Sequence, residues 1–307
     1  MTSDPLAATL VSELDEALAL LDGYRKDDAG VVPEPLPSLL QQCEALCADF
    51  APPEPVRCLH HLACSGGTRI ARTIAALPNV VLLNEIDPLS RLGMARPGER
   101  PRFAPSDVIH ALKHAARPAD RDVLVETFRA SIASAAARLE QRGLMMVLRA
   151  HSHSQFCTLQ EAAARPTVRD MLRDTVPTLS LVTIRHPLHN MRDLRKTGRD
   201  HFRPSSLEEY SHRVTEFLDR HDECPILRSE DFAADPEAGL DRICRHLALP
   251  HDGLAVELGR FSGLRGEAAQ ADQETDMAAR GDVPGDLEAE RDAIAYTRLC
   301  ERLGYEP

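Results

Sequence analysis

Short runs that are apolar almost throughout alternate, along this chain, with longer stretches in which apolar residues recur every three or four positions. The runs are Leu59 to Cys64, Val80 to Leu83, Leu144 to Leu148, Thr178 to Ile184 and Pro225 to Leu227. They are too short for helices and lack the polar alternation of a half-exposed strand, so they predict strands buried on both faces. Helical periodicity predicts helices from Gly67 to Leu77, about Ser106 to Arg117, Asp120 to Gln141, Leu188 to Lys196, Ser206 to His221, Pro236 to Leu247 and about Leu287 to Leu303. Further helical pieces flank Pro166, within about residues 159–173. Strands alternating with helices specify a parallel α/β sheet covered on both faces, with any ligand at the carboxyl ends of the strands.

The N-terminal part reads differently. Residues 4–22 carry Leu and Val at helical spacing, a Pro-rich and acidic linker runs from Asp27 to Pro37, and a second helix is expected over Ser38 to Asp49 before Pro52, Pro53 and Pro55 stop it. The expected organisation is therefore a helical extension over residues 1–55 and an α/β domain over 56–307. Six glycines or prolines among many charges make residues 259–285 a loop.

Composition narrows the partners. The net charge of −12 repels polyanions, so neither nucleic acid nor an anionic membrane is expected. An anionic ligand would need a local cluster of donors. With no Arg-rich or apolar leader and no run long enough to span a bilayer, the expected place is the cytosol. The cysteines are scattered in apolar contexts, as reduced buried thiols are. Cys43 and Cys47 lack the second pair that a zinc site requires, so no metal site is expected.

The chemistry gathers where strands end. The first run leads into Ser65-Gly66-Gly67-Thr68, two glycines opening a helix; this is either a phosphate cradle or a plain glycine turn. The second ends near Glu85, the third in Arg149-Ala150-His151-Ser152-His153, and the fourth in Arg185-His186-Pro187. No Gly-Lys-Ser/Thr follows the glycines, so the lysine that a nucleotide kinase places on phosphate is missing.

These motifs resemble the sulfotransferase family, which transfers a sulfuryl group from 3'-phosphoadenosine 5'-phosphosulfate (PAPS). Ser65 to Thr68 resembles its 5'-phosphosulfate loop, Thr183 to Pro187 its 3'-phosphate strand, and Ile226 to Leu249 its strand, acidic turn and Asp-Pro-Glu helix. The resemblance covers about residues 56–250 and implies a P-loop-type fold, PAPS as co-substrate and metal-independent transfer to a hydroxyl of a small molecule or saccharide. It assigns Ser65, Gly66, Gly67, Thr68, Arg69, Arg72, Arg185 and Arg265 to the nucleotide. It makes His151 the base, with Glu85 second; Arg149 pairs with His151, and His153 replaces or orients it if the strand continues. The chain departs from the family at Cys64, where a basic residue normally precedes the loop serine, with Arg69 and Arg72 as substitutes. It departs again at Asp193, where a serine is usual and Arg192 or Arg195 must intervene between carboxylate and phosphate. The alternatives are a catalytically impaired nucleotide-binding member of the same fold and a P-loop kinase-like phosphotransferase.

Overall fold

Five strands, all parallel, form one sheet in the order β2-β3-β1-β4-β5. They are β1 (Val56–His61), β2 (Val80–Ile86), β3 (Met145–Ala150), β4 (Thr178–Ile184) and β5 (Ile226–Arg228). In the computed structural model the described residues are 13–20, 38–42, 53–90, 92, 106–159, 161–260 and 283–307. They divide between two compact units, Met1–Pro52 and Pro53–Pro307. The first unit contributes helical residues 13–20 and 39–42, and there Ser38 and Gln41 exchange backbone-to-side-chain hydrogen bonds of 2.9 and 3.2 Å.

In the second unit the helices are α1 (Gly67–Ala75), α2 (Val108–Lys113), α3 (Arg121–Glu140), α4 (His153–Phe156), α5 (Val168–Leu172), α6 (Pro187–Thr197), α7 (Leu207–Asp219), α8 (Ser229–Ala234), α9 (Pro236–Leu247), α10 (Leu254–Gly259), α11 (Gly285–Glu288) and α12 (Ile294–Leu303). On one face of the sheet, Leu59, Val147, Leu181 and Leu227 pack with Ile70 and Ile74 of α1 and with Leu240, Ile243 and Leu247 of α9. On the other, Val56, Cys58, Met146 and Leu148 meet Phe128 and Ile132 of α3 and Met171 and Leu172 of α5. Val182 and Ile184 complete that face against α6, α7 and α12. Each fully buried Leu or Ile contributes roughly 1.5–3 kcal/mol by leaving water, so α1 is fixed by its inner face and its N-terminus is free to serve the sheet edge.

The first strand lies earlier than its apolar run suggests. The ladder takes Val56 to His61 and leaves Leu62 to Cys64 for the turn. Arg57 can enter a buried strand because its guanidinium donates to the carbonyls of Pro55, Leu247 and Ala248 at 2.8, 3.0 and 3.0 Å and pairs with Glu54 at 2.7 Å. The expected C-terminal helix is two helices, α11 and α12, and α8 and α10 form where no separate helix is expected. Ser206 opens α7 by accepting from the Glu209 amide, and Asp235 opens α9 by accepting from the Ala238 amide.

Candidate functional site

The carboxyl ends of β1, β2, β3 and β4 share one edge, and the turn from β1 into α1 lies among them. Ser65 closes that turn, its amide and hydroxyl both reaching the Leu62 carbonyl at 3.3 and 2.7 Å. Cys64 and Gly66 hold left-handed backbone, φ +62° and +78°. Gly66 is the N-cap of α1, no side chain caps the helix, and its first turn carries no acidic residue. Such an end directs amide N–H groups and a positive dipole outward. Gly67 is required for a different reason: a Cβ there would lie 2.7 Å from the His61 ring.

Three buried side chains fix the peptide groups before the glycines. The Ala63 amide donates to His153 Nδ1 at 3.3 Å, Asn190 Nδ2 donates to the Ala63 carbonyl at 3.2 Å, and Arg185 Nη1 donates to the Cys64 carbonyl at 3.1 Å. Asn190 is itself held by Tyr210. Arg149 comes up from the end of β3, 2 % exposed, and donates to Thr68 Oγ1 at 2.5 Å and to Asn84 Oδ1 at 2.9 Å. Glu85 Oε1 stands 3.7 Å from the same guanidinium. Glu85 has φ +55° and lies in a register irregularity of β2 between Leu83 and Ile86. A left-handed glutamate in a bulge is a costly way to aim a side chain, and such sites cluster at functional edges.

Arg185 is shared. Its Nη1 pairs with Asp193 Oδ2 at 2.6 Å, while Arg192 Nε takes Asp193 Oδ1 at 2.7 Å. Burial opposes the charged form of Asp193, and the Arg192 hydrogen bond and the Arg185 charge outweigh it, holding the carboxyl below its usual range. Arg192 and Arg185 thus share Asp193, whereas Arg195 pairs with Asp286 and Glu290 and donates to the Ser205 carbonyl.

The two histidines after β3 part company. The strand stops at Ala150 and His153 opens α4, so the alternation that would put both on one side does not operate. His153 is buried, accepts from Ala63 at Nδ1, and meets the Arg199 carbonyl with Nε2 at 3.0 Å. A carbonyl only accepts, so Nε2 carries the proton. Burial, with His151 nearby, pushes its pKa down to about 3. His153 is thus placed as a neutral brace of the loop. His151 is half-buried, its amide donating to the Ile86 carbonyl at 3.1 Å and its Nδ1 3.5 Å from Ser90 Oγ.

Arg69 is exposed and lies over the Phe232 ring at 6.0 Å, and Arg72 belongs to the last turn of α1. Arg265 lies outside the described residues, as do Cys43 and Cys47. Arg149 and Arg185 bond directly to the loop, at Thr68 Oγ1 and at the Cys64 carbonyl. Sequence reasoning does not find Asn84, Asn190, or the buried pair in which Arg165 donates twice to Asp87, both at 2.9 Å. Asp87 also receives Ser154 and the Leu89 amide, tying the end of β2 to the His151 turn. Only the position of Asp87 just past a strand end could have marked it. Among the described residues no group of three or more metal-ligating side chains occurs, and no helix is long and apolar enough to cross a membrane.

No family model and no curated protein matches the chain. Among solved structures it is similar to the crystal structure of a sulfotransferase from Alicyclobacillus acidocaldarius, at 16% identity and a TM-score of 0.39, over 84% of this chain and 98% of that one. At that TM-score the likeness adds nothing to what the residues themselves say.

Proposed function

We propose that the chain transfers the sulfuryl group of PAPS to a hydroxyl of a small molecule or saccharide. The observation that carries the reading is the uncapped N-terminus of α1 with Arg149 seated on Thr68 Oγ1, in a loop that lacks a kinase lysine. Because Thr68 Oγ1 accepts from Arg149, its own hydrogen is directed elsewhere and can donate to an anion. Amide N–H groups from Gly66 to Thr68, together with that hydroxyl, would take the charge that develops on the leaving 5'-phosphate. Arg185 would face the 3'-phosphate side, with Arg192 screening Asp193.

In the transfer the bond from sulfur to the bridging oxygen breaks and its electron pair stays on the nucleotide phosphate, while a bond to the acceptor oxygen forms. The acceptor proton goes to a base within reach. His151 is the first assignment, half-buried and with Ser90 beside Nδ1. Glu85 is the second, with Oε1 3.7 Å from the Arg149 guanidinium.

Calorimetry with the product nucleotide adenosine 3',5'-bisphosphate, followed by labelled PAPS and a panel of acceptors, tests the reading. His151→Ala should cost about 10²- to 10⁴-fold in turnover with nucleotide affinity nearly unchanged, and Arg185→Ala should weaken the nucleotide first. An unaltered rate in His151→Ala passes the role to Glu85. Magnesium-dependent binding of ATP in preference to PAPS would overturn the assignment in favour of a kinase-like phosphotransferase. A second reading, nucleotide binding without turnover, has one observation behind it: Arg185 is already paired with Asp193. Tight nucleotide binding without transfer to any acceptor would favour it.

A further inference from the structure

The ion pairs beside the loop are nearly balanced in charge. Arg149, Arg185 and Arg192 stand against Glu85 and Asp193, one positive charge in excess, whereas a sulfate or phosphate ligand brings about two negative charges. Cys64 supplies none. Three imidazoles adjoin the loop and could make up the difference by taking a proton from solvent. His153 has both ring nitrogens engaged, so protonating Nδ1 would break its bond to the Ala63 amide. His151, if it is the base, must stay neutral when donor is bound.

His61 is left. It ends β1, is 4 % exposed, and its ring lies against Gly67, where a Cβ would be 2.7 Å away. Its Nδ1 is buried with no hydrogen-bond partner, so it can accept a proton without losing a bond. The groups acting on it are Arg149 and His151 at the end of β3, His153 of α4 and His60 of its own strand, while α1 presents the uncharged Gly67. Burial first, then Arg149 and these imidazoles, keep His61 neutral in the free protein. An anion at the loop reverses the sign of the local potential and favours the charged ring.

We infer that His61 is the site of a proton taken up with the anion: the loop binds sulfate or a nucleotide phosphate together with H⁺, which replaces the missing fixed cation. This rests on the proposed anion-binding role of the loop.

The test uses the full chain and potassium sulfate, which does not titrate near neutrality, at constant ionic strength. Sulfate affinity should rise up to about tenfold per unit as pH falls, as linkage to one proton requires, and calorimetry in buffers of differing ionisation enthalpy should report uptake approaching one proton. His61→Asn should bind with the pH slope flattened to less than about twofold per unit, and His151→Gln should keep the slope. Because a buried variant can fail to fold, the ¹⁵N shifts of His61 in the unmodified protein give a second readout, neutral without sulfate and cationic with it. Sulfate binding with no proton uptake, or a slope lost in His151→Gln and kept in His61→Asn, overturns the inference and leaves the loop's role standing. No binding of sulfate or adenosine 3',5'-bisphosphate overturns both.

Discussion

Acid should unfold this protein well before its carboxylates titrate. His60, His61, His153 and His221 are all buried, and burial is the first cause that lowers each pKa: His153 to about 3, His221 to about 4, and His60 and His61 well below the ordinary value. In the unfolded chain each returns to about 6.5. The unfolded state therefore binds more protons as pH drops below 6.5, and stability present at neutral pH is lost toward the folded-state values. Each such imidazole costs about 1.4 kcal/mol per pH unit, so His153 and His221 together remove about 4 kcal/mol by pH 5. His61 adds in the same direction. His60 adds less, because its ring lies 4.4 Å from that of His221 and a second proton on that pair is opposed by the first. Against a total of roughly 5–15 kcal/mol, this is enough to bring the transition close. Asp170 and Asp193, whose carboxyls sit below their usual range, lose their contribution only below about pH 4. Urea melts followed by circular dichroism from pH 8 to 4.5 would show the midpoint falling from about pH 6.5. His153→Gln should lower the steepness by about one proton. A midpoint flat from pH 7.5 to 5 would refute the reasoning.

Three further outcomes follow from the same geometry. Gly67→Ala drives a methyl into the His61 ring and should cost about 1–3 kcal/mol along with most of the nucleotide affinity; thermal melts and calorimetry would read both, and an unchanged affinity would mean that the loop is not the anion site. Asp193→Ala should destabilise the fold by about 3–5 kcal/mol because Arg185 is left buried and unpaired, yet it should bind adenosine 3',5'-bisphosphate more tightly, since the nucleotide then answers that charge. Cys64→Lys should not raise transferase activity and should cost about 3 kcal/mol, because the side chain at 64 packs in the cluster of Leu188, Met191 and Leu194 and near Thr197, with Sγ 3.7 Å from its hydroxyl.

The sheet was legible because its strands are nearly all apolar, and β4 matches its run residue for residue. The first strand was less so, since Arg57, His60 and His61 look polar and are buried. Their partners lie up to 191 positions away in sequence, and no local pattern encodes them. The same limit governed the site. Strand ends marked Glu85, Arg149, His151 and Arg185, but that His153 would brace Ala63 depends on where β3 stops, which propensity leaves uncertain by a residue or two. Asp87 and Arg165 are 78 positions apart and meet only because the turn after β2 and the segment before α5 cover the same face.

A cysteine at position 64 in place of a basic residue looks like a defect only if the loop's field is built from side-chain charge. Here Ala63 is bonded at both its amide and its carbonyl, the Cys64 carbonyl is taken by Arg185, and Leu62 is closed by Ser65. Peptide dipoles held in that way need little reorganisation when charge develops before them, which is the condition for electrostatic stabilisation to act on a reaction rate. A flexible lysine would add charge but would also have to be ordered. In a chain of net charge −12, a long-range positive field is in any case unattainable beyond a Debye length of about 8 Å. Any attraction of an anion to this edge must therefore be short-range, and oriented amides backed by Arg149 meet that requirement.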